Sequence, residues 1–215
     1  DDADTTTKIS VERHDTQQDI LKASCHCGKV KFHVTRPNAA SQHPRSNYPD
    51  LIIPYHTASP RIANLEDDKW WLVTTSDSQE ATRYLAGTCA CQSCRLTSGF
   101  EIQTWAFVLR ANIYFHPPPG SDAHDTIPLD FARLPDGLLQ SYESSEGVLR
   151  EFCPRCGATV FWHDKGRPDL VDVSVGLLDA VGGSRVESWL WWWRDRVSFA
   201  EDAGTGRHGV VKARA

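Results

Sequence analysis

The sequence lacks the features that would point to a membrane or a nucleic acid as its partner. Its longest apolar stretches, residues 105–109 and 189–193, are far shorter than the ~18 residues that suggest a membrane span. Positive charge is not in excess, since 23 Lys and Arg residues stand against 28 Asp and Glu residues, a net charge of -5. A small molecule is therefore the expected partner, with no nucleic acid and no membrane.

Several familiar motifs are absent as well. The chain has no Gly-rich phosphate loop, no Gly-x-Ser-x-Gly nucleophile turn and no repeat of 33 to 50 residues. Methionine is missing altogether, which leaves open a removed targeting segment. The length of 215 residues is enough to bury a sizeable core and predicts one domain.

Cysteine is the residue type that organises this sequence. The chain has seven cysteines, three of them in the run Cys89-Ala90-Cys91-Gln92-Ser93-Cys94. The other four form two close pairs, namely Cys25 with Cys27 and Cys153 with Cys156. Two pairs of closely spaced thiols are what a closed structural zinc site needs, and three thiols leave a fourth position for water or a ligand. We therefore predict two zinc ions per chain, one structural and one at an open, catalytic type of site.

The cysteine count also bears on the cellular compartment. An odd number of cysteines suits a disulfide framework poorly, whereas this spacing is typical of metal-binding turns. A glycine follows each outer pair, at Gly28 and Gly157, as expected where a chain reverses around a metal with positive φ. A reducing compartment is therefore expected, the cytoplasm first, with the nucleus left open.

Period-two alternation of apolar residues predicts a mostly β protein. A polar arm at 1–19 and a Gly-rich tail at 203–215 are expected to be flexible and to flank one domain at 20–202. Residues 101–109 and 113–115 are expected to form a hairpin, and 138–142 with 148–152 a second one. Further strands are predicted at 30–34, 70–74, 83–86, 158–162 and 170–175, with a strand or an aromatic-faced helix at 186–193.

Two polar insertions interrupt this pattern, at about 36–68 and 116–137. The first contains five prolines around a single apolar anchor at 51–53. Long loops of this kind are often functional lids, so we expect it to cover the site, with a packed surface insertion as the alternative.

A reaction at the open site also needs a group that moves protons. Glu101 and His163, followed by Asp164, are the candidates, because they lie close in sequence to the predicted metal ligands. The alternative for each is a solvated surface residue. The tryptophans at 70, 71, 105, 162 and 189–193 are expected mainly in the core, although Trp189, Trp191 and Trp193 would share one strand face that leaves a homodimer contact open.

The order of these motifs resembles a known family. The chain contains, in order, Cys-x-Cys-Gly, Cys-x-Cys-x-x-Cys-Arg, Phe-Cys-x-x-Cys-Gly and a Gly-Leu-Leu-Asp segment at 176–179. This order is similar to that of the glutathione-dependent formaldehyde-activating enzyme family, also called the centromere protein V family. The resemblance covers about residues 20–200. It implies a β-tent of small antiparallel sheets, a structural zinc on the outer pairs and a catalytic zinc on Cys89, Cys91 and Cys94. The long link between Cys27 and Cys89 departs from the family pattern.

Two main functions follow as expectations. The first is a zinc-dependent carbon-sulfur lyase acting on a thiol adduct of a small carbonyl compound, with glutathione as a co-substrate. Three thiolates weaken zinc as a Lewis acid, so capture of a thiol is favoured over formation of a strong hydroxide. The second is a non-catalytic zinc-stabilised binding or scaffold module, in which a histidine would close the middle site. A third hypothesis, redox sensing, requires metal-free thiols of low pKa.

Overall fold

Antiparallel strands make up most of the computed structural model, which describes residues 19–74, 80–117 and 125–204. The predicted arm and tail lie outside these ranges, apart from Asp19 and residues 203–204. The strands are β1 Ile20–Ser24, β2 Lys31–Thr35, β3 Leu72–Thr74, β4 Ala81–Cys89, β5 Gln103–Leu109, β6 Ile113–Phe115, β7 Ile127–Pro128, β8 Gln140–Ser145, β9 Val148–Phe152, β10 Thr159–Asp164, β11 Leu170–Ser174, β12 Leu178–Asp179 and β13 Leu190–Trp192.

The strands form two sheets. The small sheet has the order β12-β1-β2-β6-β7, and the large sheet has the order β13-β4-β5-β11-β10-β9-β8, with β3 added on β4. The pairs are antiparallel except for β13 beside β4, which is parallel. The mostly β, single-domain fold class predicted from the sequence is confirmed, with the two cysteine clusters that could hold zinc.

An aromatic core joins the two sheets. Phe32 of β2 and Phe115 of β6 contact Phe161 of β10, with ring centroids 5.2 and 6.1 Å from Phe161. All three rings are fully buried. One face of the large sheet is thus committed to the core, and its other face is free to form a site.

The predicted hairpin of residues 101–109 with 113–115 is wrong. β5 pairs with β4 and β11, whereas β6 belongs to the small sheet. A 3-10 turn at Arg110–Asn112 redirects the chain. Its buried Asn112 donates to Thr35 Oγ1 at 2.8 Å and accepts from Ser41 Oγ at 2.8 Å, so a polar contact with the small sheet outweighs the local hairpin.

The second predicted hairpin is confirmed as β8 and β9, which turn at Gly147 with a φ of 76°. The aromatic segment at 186–193 contributes the strand β13 rather than a helix. Trp191 and Trp193 share a side, with ring centroids 5.9 Å apart, but Trp189 lies before the strand and is buried. Ala203, the first residue of the predicted tail, is also buried.

The one α-helix of the described residues is short. It is α1, Gln92–Ser98, and it begins directly after Cys91. Within the described ranges the chain has no helix with the length and apolar character needed to cross a membrane.

Candidate metal centres and the adjoining pocket

The two outer cysteine pairs meet at one point between the sheets. Cys25 and Cys27 lie in the turn from β1 to β2, and Cys153 and Cys156 lie in the turn from β9 to β10. Their sulfurs lie within 4.8 Å of one another, with Sγ to Sγ distances of 3.6 Å from Cys25 to Cys27 and to Cys153, and 3.7 Å from Cys27 to Cys153. A tetrahedral zinc with bonds of about 2.3 Å separates its sulfurs by about 3.8 Å. The four-thiol cluster therefore fits a structural zinc ion.

Glycine and backbone N–H groups shape these two turns. Gly28 has a φ of 70° and Gly157 a φ of 72°, which is the left-handed region where a side chain is strained. Val30 N–H donates to Cys25 Sγ at 3.3 Å. Backbone N–H groups of Ala158 and Cys27 lower the pKa of Cys156 to about 6. The thiolate, the form that binds metal, is thus favoured at Cys156, whereas burial raises the pKa of Cys153 to about 11.

The central cysteine run forms a second cluster. Cys89 ends β4, Cys91 caps the N-terminus of α1, and Cys94 lies in its first turn. Their sulfurs lie within 4.8 Å of one another, and Cys94 N–H donates to Cys91 Sγ at 3.4 Å. Hydrogen bonds from the Cys89 and Cys94 thiols lower the pKa of Cys91 to about 2. This three-thiol cluster also fits a soft cation. Among the described residues, the group of potential ligand atoms at this point consists of these three sulfurs.

A pocket of about 710 Å³ opens beside the three-thiol cluster, and all three cysteines line it. The floor of the pocket is the outer face of the large sheet. Cross-strand pairing aligns Arg150 with Trp162, Trp162 with Asp172, and Asp172 with Phe107, so these four side chains form one row across β9, β10, β11 and β5. The row places aromatic walls and charged groups next to the thiols.

The first insertion supplies the opposite wall. Its pocket-lining residues are Arg45, Ser46, Asn47, Pro49, Asp50, Leu51 and Tyr55. The segment is anchored by Trp70 Nε1, which donates to Asn47 O at 2.9 Å, and by Trp71 Nε1, which donates to Ser41 O at 3.2 Å. The insertion therefore borders the pocket, and its role as a cover stays a prediction.

Buried Asp50 fixes that wall to the end of the domain. Its carboxylate accepts hydrogen bonds from Phe199 N at 2.6 Å, from Tyr55 N at 2.8 Å and from Arg196 Nη2 at 3.0 Å. Ser198 Oγ donates to it at 3.2 Å. The insertion and residues 196–199 are thereby held as one unit over the pocket.

Leu51 also anchors the insertion, by packing on Gly87 of β4. A Cβ at Gly87 would overlap both methyl carbons of Leu51. We expect Gly87→Ala to destabilise the protein by about 1–3 kcal/mol through overpacking, which is a fall in Tm of about 2–12 °C for a chain of this size. Calorimetry of the purified variant measures it.

Gly176→Ala is the matched control, because nothing lies within 4 Å of a Cβ added there. In a Leu51→Ala background the cost of Gly87→Ala should largely disappear, since the overlapping methyls are gone. An unchanged Tm for Gly87→Ala would contradict the packing of the insertion on β4.

Charged side chains continue along the pocket floor. Arg167 donates to Asp172 at 2.5 Å and its guanidinium lies 5.0 Å from the Trp162 ring centroid. Burial raises the pKa of the Asp172 carboxyl, and Arg167 opposes that rise. Asp202 lines the pocket near Cys91, and burial followed by the negative charge of Cys91 raises its pKa.

The two predicted proton-transfer residues lie off the pocket lining. His163 neighbours Trp162 and Asp164 on β10 but points to the opposite face, where Nε2 hydrogen-bonds Glu151 Oε1 at 2.9 Å and the ring stacks on Phe131 at 3.8 Å. Glu101 follows α1 and does not line the pocket either. Their catalytic roles stay predictions. Asp164, the residue after His163, does line the pocket.

Sequence reasoning missed Arg150, Asp172 and Asp202. Arg150 and Asp172 lie on the same sheet face as Trp162, on the two strands that flank β10. Their position beside Trp162 follows from the pairing of these strands, which the sequence alone does not give. The aromatic residues divide as well. Trp70, Trp71 and Trp189 belong to the core, whereas Trp105 and Trp162 line the pocket.

Comparisons with known proteins give little beyond this geometry. No protein-family model matches the chain, and no curated protein matches it. Among solved structures, a crystal structure of a Rhodobacter sphaeroides protein from a structural-genomics programme is similar at 15% sequence identity with a TM-score of 0.39. The match covers 80% of this chain and 98% of that chain. A likeness this distant carries no inference about function.

Proposed function

We propose that the protein is a zinc enzyme of the carbon-sulfur lyase type, acting on an adduct between a thiol and a small carbonyl compound. The hemithioacetal of glutathione and formaldehyde is the first substrate to test. The observation that carries this proposal is the opening of the three-thiol cluster into a pocket of about 710 Å³. The resemblance of the cysteine order to the formaldehyde-activating family supports the same reaction.

The pocket offers groups suited to each part of that reaction. Zinc bound by Cys89, Cys91 and Cys94 would supply a soft position for a thiolate or a carbonyl oxygen. The aromatic side chains of Trp105, Phe107 and Trp162 would hold the substrate body and exclude water.

Formation of the carbon-sulfur bond moves a proton from sulfur to oxygen, and cleavage moves it back. Asp164, Asp172 and Asp202 place carboxyl groups in the pocket. Of these, Asp172 lies in the floor row, where burial raises its pKa and the ion pair with Arg167 opposes that rise, and it is the carboxyl that we propose for proton exchange with the substrate. We therefore assign the proton transfer to Asp172 ahead of Glu101 and His163.

The alternative is a non-catalytic zinc-stabilised binding or scaffold module. That reading expects a fourth protein ligand at the middle cluster, most simply a histidine. No histidine of the described residues lines the pocket, and the ligand group there consists of three thiols. The open three-thiol cluster therefore favours the enzyme. The four-thiol cluster is compatible with either function.

Metal content tests first whether the three-thiol cluster holds an ion at all. We expect two zinc ions per chain by elemental mass spectrometry on protein purified without added metal or chelator. A content of one zinc would favour the redox sensor, because the middle thiols would then be metal-free, whereas a binding module with a closed middle site would also hold two ions. Catalysis is tested by exchange NMR of formaldehyde, glutathione and their hemithioacetal. Exchange no faster than without protein, in a preparation holding two zinc ions, would contradict the assigned reaction.

A further inference from the structure

Arg150 is a buried cation beside the three-thiol cluster. It lies in β9 opposite Trp162, and only 4% of its surface is exposed. Arginine is rarely buried to this degree unless a partner compensates its charge. The partners of its guanidinium therefore indicate what this residue does.

One of these partners is a predicted metal ligand. Nη1 donates to Cys94 Sγ at 3.6 Å, and Nε donates to Ser144 Oγ at 3.2 Å. The second hydrogen bond fixes the plane of the guanidinium, so the first is directed at the sulfur. A hydrogen bond between a guanidinium and a thiolate is charge-assisted and stronger than one between neutral groups.

The charge of the cluster explains why a cation is needed there. Three thiolates around one Zn²⁺ leave a net charge of about -1 in a largely buried place, which is costly without compensation. The other pocket arginines have different partners, since Arg167 binds Asp172 and Arg45 donates to Asn64 O at 3.2 Å. The charge of Arg150 reaches a ligand sulfur directly.

We propose that Arg150 is a positioning residue of the three-thiol centre, which neutralises the excess thiolate charge and thereby strengthens zinc binding at that site. By drawing electron density from Cys94 Sγ, it also restores part of the Lewis acidity that three thiolates remove from zinc. This inference rests on the proposed function only in placing a metal ion on the three-thiol cluster.

Zinc affinity tests the role of Arg150 without any turnover. In Arg150→Met, which keeps the length but not the charge, we expect zinc affinity at the three-thiol site to fall about 10- to 100-fold, the usual effect of losing a partner of a metal ligand. Affinity at the four-thiol site should stay unchanged. Competition with a chromophoric chelator measures both sites in one titration.

Matched variants separate charge from packing. Arg150→Lys keeps the positive charge and should recover most of the lost affinity. Arg45→Met removes another pocket arginine, which donates to a backbone carbonyl and contacts no thiol, and it should bind zinc as tightly as the wild type. Equal affinity in Arg150→Met and wild type, or an equal loss in Arg45→Met, would overturn the proposal.

A milder variant keeps the test valid if Arg150→Met does not fold. Ser144→Ala removes the hydrogen bond that holds Nε and should weaken zinc at the three-thiol site about 3- to 10-fold, whereas unchanged affinity would count against the role of Arg150.

The wild-type titration distinguishes this proposal from the proposed function. A wild type without metal at the three-thiol site defeats the proposed function, whereas two tightly bound ions with an unaffected Arg150→Met defeat only this inference.

Discussion

Cys91→Ser is expected to abolish turnover and to remove one of the two zinc ions while the fold survives. A serine hydroxyl is a poor ligand for zinc, so the open site should lose its metal. Metal stabilisation of a transition state is worth several kcal/mol, and each 1.36 kcal/mol is a factor of ten in rate. We therefore expect the catalysed rate to fall by about 10³ or more.

The fold should persist because serine can take over the local role of Cys91. That residue caps α1, where its sulfur accepts a hydrogen bond from Cys94 N–H. Serine is among the preferred residues at a helix N-cap. Elemental analysis, circular dichroism and exchange NMR on one preparation follow the metal, the fold and the activity.

Thr97→Ala is the control for that measurement. Thr97 is an exposed residue of the same helix and lies outside the pocket lining. It should keep two zinc ions and full activity. A Cys91→Ser protein as active as the wild type would exclude catalysis at the three-thiol site.

The cysteine clusters were predictable because their chemistry is local. Cys89, Cys91 and Cys94 lie within one strand end and one helix turn, so their spacing alone brings the sulfurs close. The pairing of Cys25 with Cys153 is long-range, but tetrahedral zinc needs four ligands and the sequence provides two matching turns. Strand alternation was equally local, which is why the predicted strands recur with shifted ends.

Residues chosen by distance along the chain were less informative. His163 is close to Cys156 in sequence, yet alternation along β10 turns it toward Phe131 while Trp162 and Asp164 face the pocket. Arg150 lies on β9, three residues before Cys153, and belongs to no recognisable sequence motif. Its contact with Cys94 arises from the order of strands in the large sheet, which the sequence does not state.

The wall made by the first insertion illustrates the same limit. Its polar, proline-rich composition predicts a loop but not the surface on which the loop packs. The absent side chain of Gly87 is what admits Leu51, and that fit depends on two residues distant in sequence. Composition therefore indicated that the insertion is a candidate cover for the site. Its position against β4 depends on the packing of Leu51 on Gly87.

The four-thiol cluster should matter most for stability, since it joins a turn of the small sheet to a turn of the large one. Structural zinc contributes directly to folding free energy. Cys156 gives the sharpest test because its side chain is exposed. An ordinary surface substitution moves Tm by about 2 °C or less. Cys156→Ser should instead lower Tm by more than about 10 °C, because it removes a zinc ligand.

Calorimetry and elemental analysis test this prediction by measuring Tm and zinc content on the same preparation. Arg155→Ala is the control, since Arg155 is an exposed neighbour in the same turn and is not a ligand. Its Tm and zinc content should match the wild type. Treating the wild type with a strong chelator should lower Tm at least as much as Cys156→Ser does, because it removes the structural ion together with the ion at the three-thiol site. If Cys156→Ser melted with the wild type, zinc would not be what holds the two sheets together, and the aromatic core around Phe161 would have to suffice.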